Sequence, residues 1–202
     1  FRRLPMSSSP EIFDNSIKAW FKDMTNYDLS LMKFAFKAAS EMAMALKLDD
    51  EAAHWEKVGK QLPAFDLDEA GSLTFAKGFP YNESHRHFSH AMAIHPLGLL
   101  DYSQGEESQK IINATLKRMQ EVGPDWWCGY SYSWFGNMKA RAFDGEGAAQ
   151  ALKTFAECFC LPNTFHANGD QTNTGKSKFT YRPFTLEGNF AFASGIQEML
   201  MQ

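Results

Sequence analysis

The sequence predicts an all-α domain, and three observations carry that expectation. Long windows without Gly or Pro place apolar residues at helical spacing, and only GSLTFAKGF, residues 71–79, reads as a short strand. The chain has 202 residues, 44% of them in the hydrophobic set, enough to bury a real core as one domain or a large piece of one. The helical windows pair through loops but show no fixed period of the TPR, HEAT or armadillo kind, which favours an α/α toroid over an α-solenoid.

The elements follow in order. From Asp28 to Leu48, DLSLMKFAFKAASEMAMALKL has no Gly or Pro, is rich in Ala, Leu, Met and Lys, and opens on an N-cap residue. Asp49 or Asp50 starts a second helix that runs to about Gln61 and is stopped by Pro63, so the pair reads as an antiparallel hairpin. After a linker containing Gly71 and Gly78, helical patterning returns over residues 84–94, 106–122, 132–143, 147–159 and 189–201, which makes seven helices. Between Cys160 and Gly188 a long irregular loop rich in Asn, Thr, Gly and Phe lies near the C-terminus, and loops of that length inside a compact domain tend to be functional.

Composition excludes several roles. The formal charge is −4 and Lys and Arg are scattered, so no basic face for nucleic acid is expected. No stretch approaches the roughly 20 apolar residues of a membrane-spanning helix, so no membrane insertion is expected. FRRLPMSSSP lacks the apolar region of a signal peptide, although the lack of an initiator Met leaves the natural N-terminus and any export signal open. Cys128, Cys158 and Cys160 form no disulfide scaffold, Cys158 and Cys160 being too close in sequence for an unstrained bridge.

Four stretches invite a chemical reading. ESHRHFSH, residues 83–90, gathers His85, Arg86, His87 and His90. On a helix His87 and His90 share a face while His85 points away; on a strand His85 and His87 share one. No single conformation aims all three at one ion, and HExxH or paired-Cys signatures are absent, so neither a metal nor any other cofactor is expected. Helix-starting or core-packed histidines and polar substrate recognition remain as the two readings. SSSPEIF, residues 7–13, reads first as a helix start: a Ser9 cap, Pro10 at the first position and Glu11 facing the dipole. YRPFTLEGNFAF, residues 181–192, sets Glu187 beside Gly188 among aromatic residues; it suits acid-base work if buried, or is a surface residue before a helix capped by Asn189. DWWCGYSYSW carries Trp126, Trp127, Tyr130, Tyr132 and Trp134, whose flat faces suit sugar rings, though such a stripe is more often core.

Taken in order, MSSSPE, HRHFSHAMAIHP, YSYSWFGNMKARAFDG and TLEGNFAFASGIQEML resemble four blocks of glycoside hydrolase family 95, the inverting α-L-fucosidases and α-L-galactosidases. The family carries P-S-x-S-P-E, H-R-H-x-S-H-x-x-x-x-Y-P, W-S-x-A-W-K-x-N-x-W-A-R-x-x-D-G, and Q-I-D-G-N-F-G followed by A-G-I-x-E-M-L. The resemblance runs from Ser7 to Gln202.

It implies that residues 1–202 are the later part of an (α/α)6 barrel, the six-hairpin toroid, with flanking β-domains outside the chain. It implies an enzyme that hydrolyses a terminal α-L-fucosidic or related α-L-galactosidic linkage in a glycan with inversion. Glu11 takes the place of the general acid and Glu187 that of the Asp that positions and activates water with two asparagines from an earlier loop. His85, Arg86 and His87 carry over as substrate-binding residues, with Trp134 and Asn189 as further candidates in the later blocks. Inversion needs an acid and a base roughly 6.5–9.5 Å apart. The resemblance also implies a periplasmic or secreted protein, and an isolated 202-residue chain that is inactive without the asparagines. Among the departures from the pattern, Glu187 stands for Asp, His95 for the Tyr before Pro, and Phe135 for Lys. A carbohydrate-binding relative that kept the pocket and lost hydrolysis is the competing expectation.

Overall fold

The computed structural model describes residues 4–201. Six α-helices dominate it: α1 (Asn26–Ala45), α2 (Asp49–Gly59), α3 (Glu106–Val122), α4 (Gly129–Arg141), α5 (Gly145–Cys158) and α6 (Glu187–Leu200). Two short strands, β1 (Ser7–Ser8) and β2 (Trp20–Phe21), pair antiparallel with Ser7 opposite Phe21. The class is all-α as the sequence predicts. Six helices are too few for two rings of six, so the described residues are compatible with part of an (α/α)6 toroid and close no barrel.

The chain divides into two compact units. The first takes residues up to Pro80 together with Ser89–Leu99. Its α1 starts at Asn26, two residues before the expected Asp28, because the Thr25 hydroxyl accepts the Asp28 N–H and so is the cap itself. Asn26, fully buried, donates to the carbonyls of Asp66 and Thr74, both at 2.8 Å, and accepts the Asp66 N–H, which pins the 66–75 loop to the helix start. Residues 67–79 hold only isolated bridges, Leu67 with Leu73 and Ala76 with Phe79, in place of the expected strand. The α1–α2 hairpin is as expected: Phe36 and Trp55 stack at 5.8 Å and the Ser40 hydroxyl donates to the Ala52 carbonyl. Met24, Leu29 and Leu62 form its small core.

The second unit takes Tyr81–Phe88 and the residues from Leu100 onward. Its axis is α4, buried at every position from Ser131 to Ala140 and packed on both α5 and α6. Small residues permit the close approach: a Cβ on Gly136 or Gly195 would lie 2.9 or 2.8 Å from a methyl of Leu152, which fills the notch they leave. Polar groups fix the register of this seam. Asn137, fully buried, donates to the Ser133 and Ala191 carbonyls and accepts the Ser194 hydroxyl, and Arg141 grips Glu198 with two bonds of 3.0 and 2.9 Å. Asp144 caps α5 by accepting the Gly147 N–H, so that helix begins two residues earlier than periodicity suggests.

The helix expected over 84–94 does not form; a single 3₁₀ turn, Ser89–Ala91, stands there. Within the second unit the reason is competition for backbone groups. The buried Tyr81 hydroxyl accepts the His85 N–H and donates to the His85 carbonyl, Ser131 donates to the Arg86 carbonyl at 2.7 Å, and His85 Nδ1 accepts the His87 N–H. The helix start expected at Ser9–Glu11 is absent too: residues 12–15 form one irregular turn in which Phe13 and Asp14 are left-handed, as is Glu11 before them.

Candidate functional site

Glu11 lies in the first unit, on the loop between β1 and β2. The loop is bolted to the start of α1: the Ser7 hydroxyl accepts the Thr25 N–H at 2.9 Å and donates to the Asp28 carboxylate, and Thr25 donates to the Ser8 carbonyl. Ser9 is buried and its hydroxyl pairs with that of Ser89 at 2.6 Å. Between those anchors Glu11, Phe13, Asp14 and Asn15 all have φ between 49° and 57°. A left-handed residue with a Cβ is destabilised by roughly 1 kcal/mol or more, so the surroundings must over-determine this backbone. Asn15 closes it by accepting the Glu11 N–H. Glu11 itself is half-buried. His90 belongs to this unit as well, buried with its ring 4.9 Å from Phe75, a packing position.

The second unit holds the other candidates, arranged around the first turn of α4. His85, Arg86 and His87 are half-buried in the irregular segment tied down by Tyr81 and Ser131, with the two imidazoles 5.7 Å apart. The Arg86 guanidinium lies 5.9 Å from the Phe179 ring. Tyr81 is the hub of this segment: fully buried, it bonds His85 twice and accepts the Trp127 indole N–H at 3.2 Å, and burial raises its phenol above the usual range.

Glu187 is exposed in the first turn of α6, so the described residues do not bury it. Its carboxylate helps burial raise the Tyr130 phenol, and it opposes the burial that lowers His166, so both rings sit within its field. Asn189 does not cap α6, whose cap is Leu186. Its carboxamide instead accepts the His166 N–H and donates to the Thr164 carbonyl, both at 3.0 Å, fastening the long loop to the helix. Trp134 is only 8% exposed, packed between Phe88 and Tyr130, so its faces serve the core; the exposed ring of that stretch is Trp126.

The long loop is held by a carboxylate that no motif marks. Asp170, 1% exposed, accepts from the Thr172 N–H and hydroxyl and from the N–H groups of Thr174 and Lys176. Burial alone would raise its pKa, but these hydrogen bonds outweigh burial and hold it below the usual carboxylate range. Among the described residues no group of three His, Cys, Asp or Glu is placed to hold a metal ion, and no helix is long and apolar enough to cross a membrane.

Within the second unit, half-buried imidazole and guanidinium edges and an exposed carboxylate at a helix start are groups that can hydrogen-bond a polar ligand. The sequence matches the glycosyl hydrolase family 95 catalytic domain over residues 3–200. Alpha-L-fucosidase 2 of Arabidopsis thaliana is 30% identical over 145 residues, covering 70% of this chain and 16% of that protein. The chain thus spans about 16% of the length of the curated relative it matches.

Proposed function

The chain belongs to glycosyl hydrolase family 95, and from that membership we propose that the protein of which it is part hydrolyses a terminal α-L-fucoside, or a related α-L-galactoside, with inversion at the anomeric carbon. The observation that carries the reading is a family match running through nearly all of the chain, supported by a relative named as an α-L-fucosidase. On this reading Glu11 protonates the leaving oxygen and Glu187 serves the attacking water, while His85, Arg86 and His87 bind sugar hydroxyls. The pre-set backbone around Glu11 suits an acid that must meet one oxygen, and the exposure of Glu187 suits a group that must meet water.

The test is turnover of α-L-fucosides and α-L-galactosides by the full-length parent, with the product anomer followed by NMR. Glu11→Gln and Glu187→Gln are each expected to lower kcat by at least about 100-fold, the usual worth of a positioned acid or base. Undiminished turnover in both variants overturns the role assignments, and a retained anomer overturns inversion. One observation favours a second reading, a sugar-binding relative without hydrolysis: Glu187 stands where the family pattern has Asp. Sugar binding without turnover by the parent, and turnover appearing in Glu187→Asp, would select it.

A further inference from the structure

We propose that His166 is a positioning residue for Glu187, holding the start of α6 from both sides of that carboxylate; the proposal rests on the role given to Glu187 above. Its backbone N–H donates to Asn189 Oδ1 at 3.0 Å, two residues after Glu187. On the ring, Nδ1 lies 2.7 Å from the Thr185 carbonyl oxygen, so it carries the proton and donates; the Thr185 hydroxyl is 2.8 Å away. Thr185 stands two residues before Glu187, so one residue ties down both flanks of the acid.

The imidazole is fully buried in a slot between two helix starts. A Cβ on Gly188 would meet Nδ1, and would lie 2.6 Å from Cε1 and 2.7 Å from Cγ. A Cβ on Gly129 would meet Nε2 and lie 2.6 Å from Cδ2. Phe155 packs on the ring at 5.1 Å, and the Ser133 hydroxyl fixes the Gly188 carbonyl from α4 at 3.2 Å. No described residue pairs with Nε2, which faces the Gly129 backbone, so the ring sits neutral with its one proton on Nδ1 and cannot turn over without losing the Thr185 bond. An exposed glutamate on the first turn of a helix is placed by its backbone, which here His166 holds on both flanks and Ser133 holds at Gly188. A shift near 1 Å at such a group is enough to lower a rate by about 100-fold.

The experiment compares His166→Asn with His166→Leu in the full-length parent on an α-L-fucoside. The two replacements are nearly the same shape, but Asn Nδ2 falls close to the position of histidine Nδ1 and keeps the donor. His166→Leu is expected to lower kcat by roughly 10- to 100-fold with KM within about threefold, and His166→Asn to recover most of kcat, although both are smaller than imidazole and both lower the melting temperature. Rates are read per folded enzyme, and if His166→Leu yields no soluble protein, His166→Ala takes its place against Asn. Equal loss in the Asn and the donor-less variant, or a loss confined to KM, overturns the positioning role. Glu187→Gln run alongside separates the two claims: if it keeps full turnover the reading of Glu187 fails, whereas if it is inactive while His166→Leu is unimpaired only the role of His166 fails.

Discussion

Replacing Gly188 with alanine drives a methyl group into the His166 imidazole. The new carbon would sit 2.6 Å from Cε1, where ordinary contact begins at 3.4 Å, so the ring or the helix start must give by at least about 0.8 Å. The ring cannot retreat, because the Gly129 backbone fills the far side of the slot, so the first turn of α6 must move and the Nδ1 bond to the Thr185 carbonyl is lost. Overpacking of this kind is destabilising by about 1–3 kcal/mol and the hydrogen bond contributes about 1 kcal/mol. The better helix propensity of alanine offsets up to about 1 kcal/mol, leaving a net loss of roughly 2 kcal/mol. In a chain of this size that is a fall in melting temperature of roughly 4–8 °C, read by calorimetry or circular dichroism. The same substitution in a His166→Ala background meets no ring and is expected to be neutral or mildly stabilising. Equal effects of Gly188→Ala in the two backgrounds, within about 0.5 kcal/mol, would refute the packing argument.

Two further outcomes follow from the same unit. Arg141 and Glu198 are each about one-quarter exposed and joined by two bonds, so Arg141→Ala is expected to destabilise by about 1–3 kcal/mol in thermal unfolding, with a weaker dependence on salt than an exposed pair shows; no shift would mean that the pair does not hold the α4–α6 seam. The Asp170 carboxyl is held below its unfolded value of about 3.9, so its contribution is complete above that pH and is lost as pH falls through the lower folded value. Amide exchange over residues 172–178 is expected to quicken only in acid below about pH 4, and already at neutral pH in Asp170→Asn; wild-type protection in that variant at pH 7 would count against the loop anchor.

Local pattern made the helices legible and long-range partners hid the rest. The span read from sequence for α3, 106–122, is the span observed, because one amphipathic face, the acids at its start and Gly123 after its end all act within a few residues. Thr25 and Asp28 are both good caps, so a pattern alone could not say which of them the chain would use; the Ser7 hydroxyl pairing with Thr25 favours the earlier one. The segment after Ser84 has helical composition, but Tyr81 and Ser131 take the backbone groups that a helix would need. His166 lies in a loop 21 residues ahead of Glu187, and nothing short of the folded contact shows that two glycines in different helices leave room for its ring. The motif blocks divide in the same way. Asn137, Arg141, Asp144, Gly195 and Glu198 stand in them as seam and cap residues, so the blocks hold groups that pack α4 against α6 and cap α5 beside the candidate site residues.

That division sharpens what the departure at position 187 means. Were the start of α6 loosely held, the extra methylene of glutamate could be absorbed by a small retreat of the backbone, and Asp and Glu would reach the same point. Thr185, Gly188 and Asn189 are instead fixed by His166, and the Gly188 carbonyl is bonded to Ser133 as well. A backbone without slack transmits the added C–C bond, around 1.5 Å, to the carboxylate itself. On the proposed mechanism the water served by Glu187 therefore sits about one bond farther from α6 than an aspartate would place it, and the sugar or its partner groups must be shifted to match. Shortening the side chain in Glu187→Asp then withdraws the carboxylate from its water and lowers kcat in a working enzyme, whereas in a binding relative it returns the carboxylate to the position that hydrolysis needs. The sign of that one change separates the two readings because the helix start does not move.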